Sequence, residues 1–427
     1  MAVQHIQNYS KSHPWLPVSA TGVMIGVAAW VLKWLVGIIT LTVTDGMALT
    51  RTNVRLIPLG LAGIVLTVIL VKYILHVPLE HSTQKIIDVI GPTGNGIISP
   101  KVIYSPIVAS SITLGLGGSA GSEGPIAYTG AAIGSNMGRW FGLTRDQLIM
   151  CTACGAGAGI AAIFKSPMGG MFFTFEVLRI QIGLKPLLML AAMCIISSMT
   201  AYLLSGETPD MMLWIHPQMP VRELPMILLL GAFCGLYSAY YVFSGCLTKI
   251  RFTKLKEKNI WLSAVSSGLL LGVLLFLFPS LYGEGYGVLG KIANGHIHDV
   301  ISGSVMTLFD DGKYLLPLSL AAILLTKAVA ANASNSGGGV GGDFAPTLFA
   351  GGIAGVLFSQ LTGMQISLSV VSAMGGVMAA ATGAPLMAIF ITVEMTSQQQ
   401  LLLPVSICAG ISYLICRKLT KHTFNKV

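Results

Sequence analysis

The sequence predicts an all-α polytopic membrane protein, and three observations carry that fold class. Of 427 residues, 54% are hydrophobic and only 10% charged, where a soluble domain carries about 25% charged residues. Apolar stretches long enough to cross a bilayer, roughly 17 to 25 residues each, recur along the whole chain. The 50 glycines gather in breaks within those stretches rather than in a linker. Residues 1–427 therefore read as a single transmembrane domain with no soluble domain.

The elements follow in order. The opening "MAVQHIQNYSKSHPWLP" is polar and basic, with no short apolar core before a small-residue cleavage site, so no signal peptide is expected. Membrane spans are expected over 23–43, 56–74, 187–204, 225–243, 262–278, 315–331 and 401–415. The chain stops soon after the last of these, and no appended regulatory domain is expected. The net charge of +9 comes from short connections such as the one carrying Lys249, Arg251, Lys254, Lys256 and Lys258. That is the pattern of positive-inside topology, not of nucleic-acid binding. Cys151 and Cys154 form a C-x-x-C inside the apolar run "CTACGAGAGIAA", with no histidine or second pair nearby. They read as buried small residues, and no metal or cofactor is expected.

Two segments match each other. "GAGAGIAAIFKSPMGGMFFTFEV" (155–177) lines up with "AMGGVMAAATGAPLMAIFITVEM" (373–395), pairing Pro167 with Pro385, Phe172 with Phe390, Thr174 with Thr392 and Glu176 with Glu394. Upstream, "EGPIAYTGAAIG" (123–134) lines up with "FAPTLFAGGIAG" (344–355), pairing Pro125 with Pro346. The chain thus reads as an internal duplication, with approximate repeats 20–205 and 223–416. Each half carries a Gly-rich break that opens into a helix with proline in its first turn, which suits a helix start. Such starts are expected near Ser82, Glu123 and Phe344, and in the C-terminal segment after Leu419. Broken helices in duplicated membrane folds aim their N-termini at a site between the repeats. Each N-terminus offers unpaired N–H groups and about half a positive charge, so the physical expectation is an anion pathway.

The stretch "GGSAGSEGPIAYTGAAIGSNMG" (117–138) places a carboxylate, Glu123, among glycines, with no basic residue closer than Arg139. An ionisable group at membrane depth is costly and usually functional. A carboxylate at a helix N-terminus is itself an anion, held by the N–H groups that would hold a transported one. Protonation would release it, so anion and proton compete for one place. A simple helix cap would need only Ser or Asn.

The motifs "GSEGP" (121–125), "GDFAP" (342–346) and the pair "FKSPMGGMFFTFE" and "TGAPLMAIFITVE" resemble the CLC family of chloride channels and proton-coupled chloride exchangers, over the chain from about His76 to Gln400. The resemblance implies an inverted repeat of about eighteen helices, several broken or re-entrant, assembled as a homodimer with one pore per subunit. It implies a multi-pass protein of the bacterial inner membrane with both termini cytoplasmic. It places Glu123 on the outer gating glutamate and the backbone amides of Asp343 and Phe344 on inner chloride contacts. The family's first filter motif, Gly-Ser-Gly-Ile-Pro, is replaced by "LEHSTQKIID". An ungapped count puts its serine on Ser82, whose hydroxyl could bind chloride and cap the following helix, and a shift of one residue puts it on His81. Val177 takes the position of the exchangers' inner proton-transfer glutamate. Asn425, with Phe424 beside it, takes that of the inner-gate tyrosine.

The resulting expectation is movement of chloride or a similar monovalent anion through a pore gated by Glu123, passive or loosely proton-coupled. The alternative is stoichiometric H+/Cl− exchange by another proton route, and the altered filter leaves fluoride or nitrate as other anions. "GGSAG" (117–121) also matches the G-x-S-x-G of serine hydrolases. An intramembrane peptidase would need a histidine inside a span. The eight histidines (His5, His13, His76, His81, His216, His296, His298 and His422) sit at loops and segment ends instead. No enzymatic activity is expected.

Overall fold

A computed structural model describes residues 15–45, 53–77, 82–180, 183–206, 221–293, 296–308 and 315–424. Among the described residues the chain forms sixteen α-helices and no β-strand. The first are α1 (Trp15–Thr44) and α2 (Leu56–Ile69), the latter continuing as a π-helical turn over Leu70–Leu75. Then come α3 (Ser82–Ile90), α4 (Ser105–Gly115), α5 (Glu123–Trp140), α6 (Arg145–Phe164), α7 (Pro167–Glu176) and α8 (Leu184–Leu204). The second half holds α9 (Leu224–Lys258), α10 (Ile260–Leu277), α11 (Tyr286–Ala293), α12 (Leu315–Gly337) and α13 (Phe344–Thr362). It closes with α14 (Ile366–Thr382), α15 (Pro385–Met395) and α16 (Leu402–Phe424).

The seven expected spans fall on α1, α2, α8, α9, α10, α12 and α16. Two further helices, α6 and α13, are also long and apolar enough to cross a membrane, making nine among the described residues. Both are enclosed by other helices and built from small residues, which in lipid let backbones approach closely. At the α5–α6 crossing, a Cβ on Gly130 would run into the Gly155 carbonyl, and one on Gly155 into that of Gly130. Cys151 and Cys154 are both buried on α6.

Residues that the sequence pairs make matching contacts. At the foot of α15, the N–H groups of Leu386 and Met387 donate to Glu176 at 3.1 and 2.8 Å. At the foot of α7, those of Met168 and Gly169 donate to Glu394 at 3.1 and 3.2 Å, joined by the Ser166 hydroxyl at 2.5 Å. Each carboxylate thus satisfies N–H groups that a helix start leaves unpaired, and meets the positive end of its dipole. Phe172 and Phe390 stack between them, with ring centroids 4.8 Å apart.

Three of the four expected helix starts are present, at Ser82, Glu123 and Phe344. The fourth is not. α16 runs unbroken past Leu419 to Phe424, because residues 411–424 contain neither glycine nor proline to interrupt it.

Candidate functional site

Two chain breaks meet at the centre of the fold. α4 ends at Gly115 and α12 at Gly337, and non-helical segments lead from them to α5 and α13. The two segments pair in antiparallel fashion: the Gly121 N–H donates to the Gly342 carbonyl at 2.9 Å, and the Gly342 N–H returns to Gly121 at 2.6 Å. This pairing sets the N-termini of α5 and α13 side by side, with Pro125 and Pro346 in their first turns.

Glu123, the first residue of α5, is 1% exposed. Its side chain leaves its own helix and crosses to α13, where Oε1 accepts the Ala345 N–H at 2.6 Å. The Tyr286 hydroxyl donates to the same oxygen at 3.4 Å, while Oε2 has no hydrogen-bond partner among the described residues. The N–H that holds the carboxylate is therefore one residue beyond the Asp343 and Phe344 amides. Asp343 itself is exposed, and its carboxylate accepts from Asn335 Nδ2 at 2.7 Å. The Phe344 ring stands edge-on to Phe173 at 6.1 Å.

A buried lysine lies beside these groups. Lys327, from the middle of α12, is fully enclosed; its Nζ donates to Ser119 Oγ at 2.8 Å and sits 4.7 Å from the Phe349 ring centroid. A desolvated ammonium is tolerated only with such compensation. Ser119, the serine of "GGSAG", is fully buried and bonded to this lysine. It offers no accessible nucleophile.

A cavity of about 500 Å³ approaches the paired breaks from one side, reaching Pro125 and Gly341. Lys85, Lys101, Lys249 and Lys256 line it together with Tyr128 and Asn335. Its wall thus joins α3, through Lys85, to the start of α5 and the break before α13. Ser82 is the first residue of α3, but its side chain and the whole of His81 lie outside the described residues. Val177, part-buried after the end of α7, is not on the cavity wall, and its neighbour Glu176 is engaged at α15. Phe424 ends α16; its side chain and all of Asn425 lie outside the described residues.

Glu284, Tyr286 and Lys327 belong to this site although the motifs do not point to them. Lys327 carries a signal of its own, as the one basic residue within the apolar stretch 315–331. Glu284 lies in "YGEGYG" outside any span, and only the fold brings it to Ser122.

Comparison with known proteins agrees with this architecture. The chain is 27% identical over 329 residues to the voltage-gated ClC-type chloride channel ClcB of Citrobacter koseri, covering 74% of this chain and 73% of that one. It is 29% identical over 330 residues to ClcB of Escherichia coli O17:K52:H18, again covering 74% and 73%. In fold it matches a slow cyanobacterial Cl−/H+ antiporter at a TM-score of 0.79 and 20% identity, over 96% of this chain and 97% of the other. It also matches a CLC-type fluoride/proton antiporter at 0.75 and 22%, over 96% of both chains. Residues 63–417 match the family model described as voltage gated chloride channel, and the chain belongs to that family, the CLC proteins.

Proposed function

We propose that the protein moves chloride, or a similar monovalent anion, across a bilayer along the basic cavity and past Glu123. The observation that carries this reading is the Glu123 carboxylate, an anion on a tether, seated on the α13 N–H that a free anion would use. The positive-inside rule puts the basic end of α9, and with it the cavity, on the cytoplasmic side. The cavity lysines concentrate anions there, and low-dielectric walls focus their field. An anion then meets the starts of α3 and α13, where Ser82 and the amides of Asp343 and Phe344 offer donors. Glu123 closes the outer end. Protonation removes its charge, weakens its hold on the Ala345 N–H and lets the anion pass, since charge-assisted hydrogen bonds are about twice as strong as neutral ones.

Val177 favours passive or loosely proton-coupled movement, because valine cannot carry a proton. The second reading, stoichiometric exchange, is favoured by the two solved structures of like fold, both named as proton antiporters; one is a fluoride antiporter, which keeps fluoride beside chloride. We further propose approximate repeats 20–205 and 223–416, a homodimer with one pore per subunit, and an inner-membrane location with both termini cytoplasmic. Proton movement in liposomes under an imposed chloride gradient, with voltage clamped by potassium and valinomycin, separates the two readings. Chloride flux without uphill proton movement supports the first. Uphill proton transport establishes the second.

A further inference from the structure

The connection between α10 and α11 reads "PSLYGEGYG" (279–287), and three side chains at alternate positions reach the α4–α5 break. The Tyr282 hydroxyl donates to the Gly115 carbonyl at 2.6 Å. Glu284 Oε1 accepts the Ser122 N–H at 2.9 Å and the Ser122 hydroxyl at 2.5 Å. The Tyr286 hydroxyl donates to Glu123. Glycines make this turn possible. Gly283 and Gly285 have φ of 63° and 88°, a region that L side chains rarely enter. A Cβ on Gly285 would also run into the Phe349 ring. The turn therefore has one shape, and that shape delivers a part-exposed carboxylate onto Ser122, the cap residue of α5.

We propose that Glu284 is a second gate carboxylate, which holds the donors of Ser122 at the outer mouth as Glu123 holds that of Ala345. This rests on the reading of Glu123 as an anion gate. In each, a carboxylate oxygen from outside the helix sits on donors at a helix start, as at the Glu176 and Glu394 caps, but here the capped residue, Ser122, is the neighbour of Glu123. Ser122 brings two such donors to one oxygen, an N–H and a hydroxyl, which is the set an anion would use in its place. Glu284 is part-exposed and Glu123 enclosed, so an anion arriving from outside meets Glu284 first. The location follows from topology. α10 begins beside the basic cytoplasmic connection and crosses before Glu284 is reached.

The test is chloride binding by calorimetry and chloride flux from liposomes, for wild type, Glu284→Ala, Glu284→Gln, Glu123→Gln and the double variant Ser122→Ala/Glu284→Ala. Glu284→Ala frees both Ser122 donors, and half-saturating chloride is expected to fall about tenfold, the worth of one charge-assisted contact. Glu284→Gln keeps a neutral acceptor on Ser122, and the fall shrinks to roughly threefold by the same reasoning. In the double variant part of the gain is lost, because the hydroxyl is gone; a merely structural or long-range electrostatic role for Glu284 would leave the gain intact. Unchanged chloride dependence in both Glu284 variants overturns the proposal, as does a full gain in the double variant. If Glu284→Ala fails to fold, the near-isosteric Glu284→Gln carries the test with the same sign. The underlying gate reading fails separately: wild type would carry no chloride, or Glu123→Gln would keep the wild-type pH response.

Discussion

Glu123→Gln replaces a tethered anion by a neutral group of nearly the same shape, and the structure sets the size of the effect. The carboxylate makes one short contact to a backbone donor, 2.6 Å to the Ala345 N–H, and leaves its other oxygen unpartnered among the described residues. A hydrogen bond to a charged group contributes about 1.5–3 kcal/mol and a neutral one about 0.5–1.5. The competitor is therefore weakened by about 1–1.5 kcal/mol, close to a tenfold change in affinity for the displacing anion. Calorimetric titration of purified protein with chloride at alkaline pH, where the carboxylate is ionised, should show binding about tenfold tighter in Glu123→Gln than in wild type, by that difference. Wild-type binding should tighten as pH falls, since protonation removes the competing charge, whereas the glutamine variant should be flat. A dissociation constant within about twofold of wild type at every pH would refute the reasoning, because the displaced contact would then be worth far less than a charge-assisted bond.

Three further outcomes follow from the same geometry. Glu394→Ala leaves the Met168 N–H at the foot of α7 without an acceptor and the Gly169 N–H with Ser166 Oγ alone at 3.2 Å. With one exposed backbone donor orphaned and the Ser166 hydroxyl losing its acceptor, the loss should be roughly 1–2 kcal/mol. Thermal unfolding at a fixed scan rate should show it, with Glu394→Gln recovering part and Glu176→Ala behaving similarly at α15. Gly285→Ala forces an L residue into positive φ against the Phe349 ring and should cost about 1–3 kcal/mol, seen as a lowered unfolding temperature together with altered chloride flux. Val177→Glu supplies a carboxylate at the position that the sequence resemblance matches to the exchangers' inner proton-transfer glutamate. Proton movement per chloride in liposomes should rise, and an unchanged ratio would detach this position from proton passage.

Much of the fold is legible because bilayer crossing leaves a strong mark. Seven spans stand out as apolar stretches, and the paired motifs around Pro167 and Pro385 locate the residues that cap each other's helices. α6 is harder to see. Its run "CTACGAGAGIAA" is made of small residues suited to close helix packing, so it lacks the long aliphatic pattern of a lipid-facing helix. The start of α13 is marked by "GDFAP", but which amide holds Glu123 depends on the side chain crossing between helices, and no local pattern encodes that. Lys327 could have been singled out from its apolar surroundings alone; its bond to Ser119 could not, since the partners lie 208 residues apart. Glu284 is the extreme case. It meets Ser122 across 162 residues through a turn whose shape two glycines permit, and a carboxylate between glycines in a connection reads as ordinary surface. The helix expected after Leu419 failed for a local reason, the absence of any breaker in 411–424.

The claim that Glu123 gates an anion pathway is tested most directly by chloride efflux from liposomes across a pH series, comparing wild type with Glu123→Gln. Wild-type efflux is expected to rise as pH falls, and Glu123→Gln efflux to be fast and independent of pH. A glutamine variant that keeps the wild-type pH slope, or a wild-type chain that passes no chloride at any pH, would contradict it.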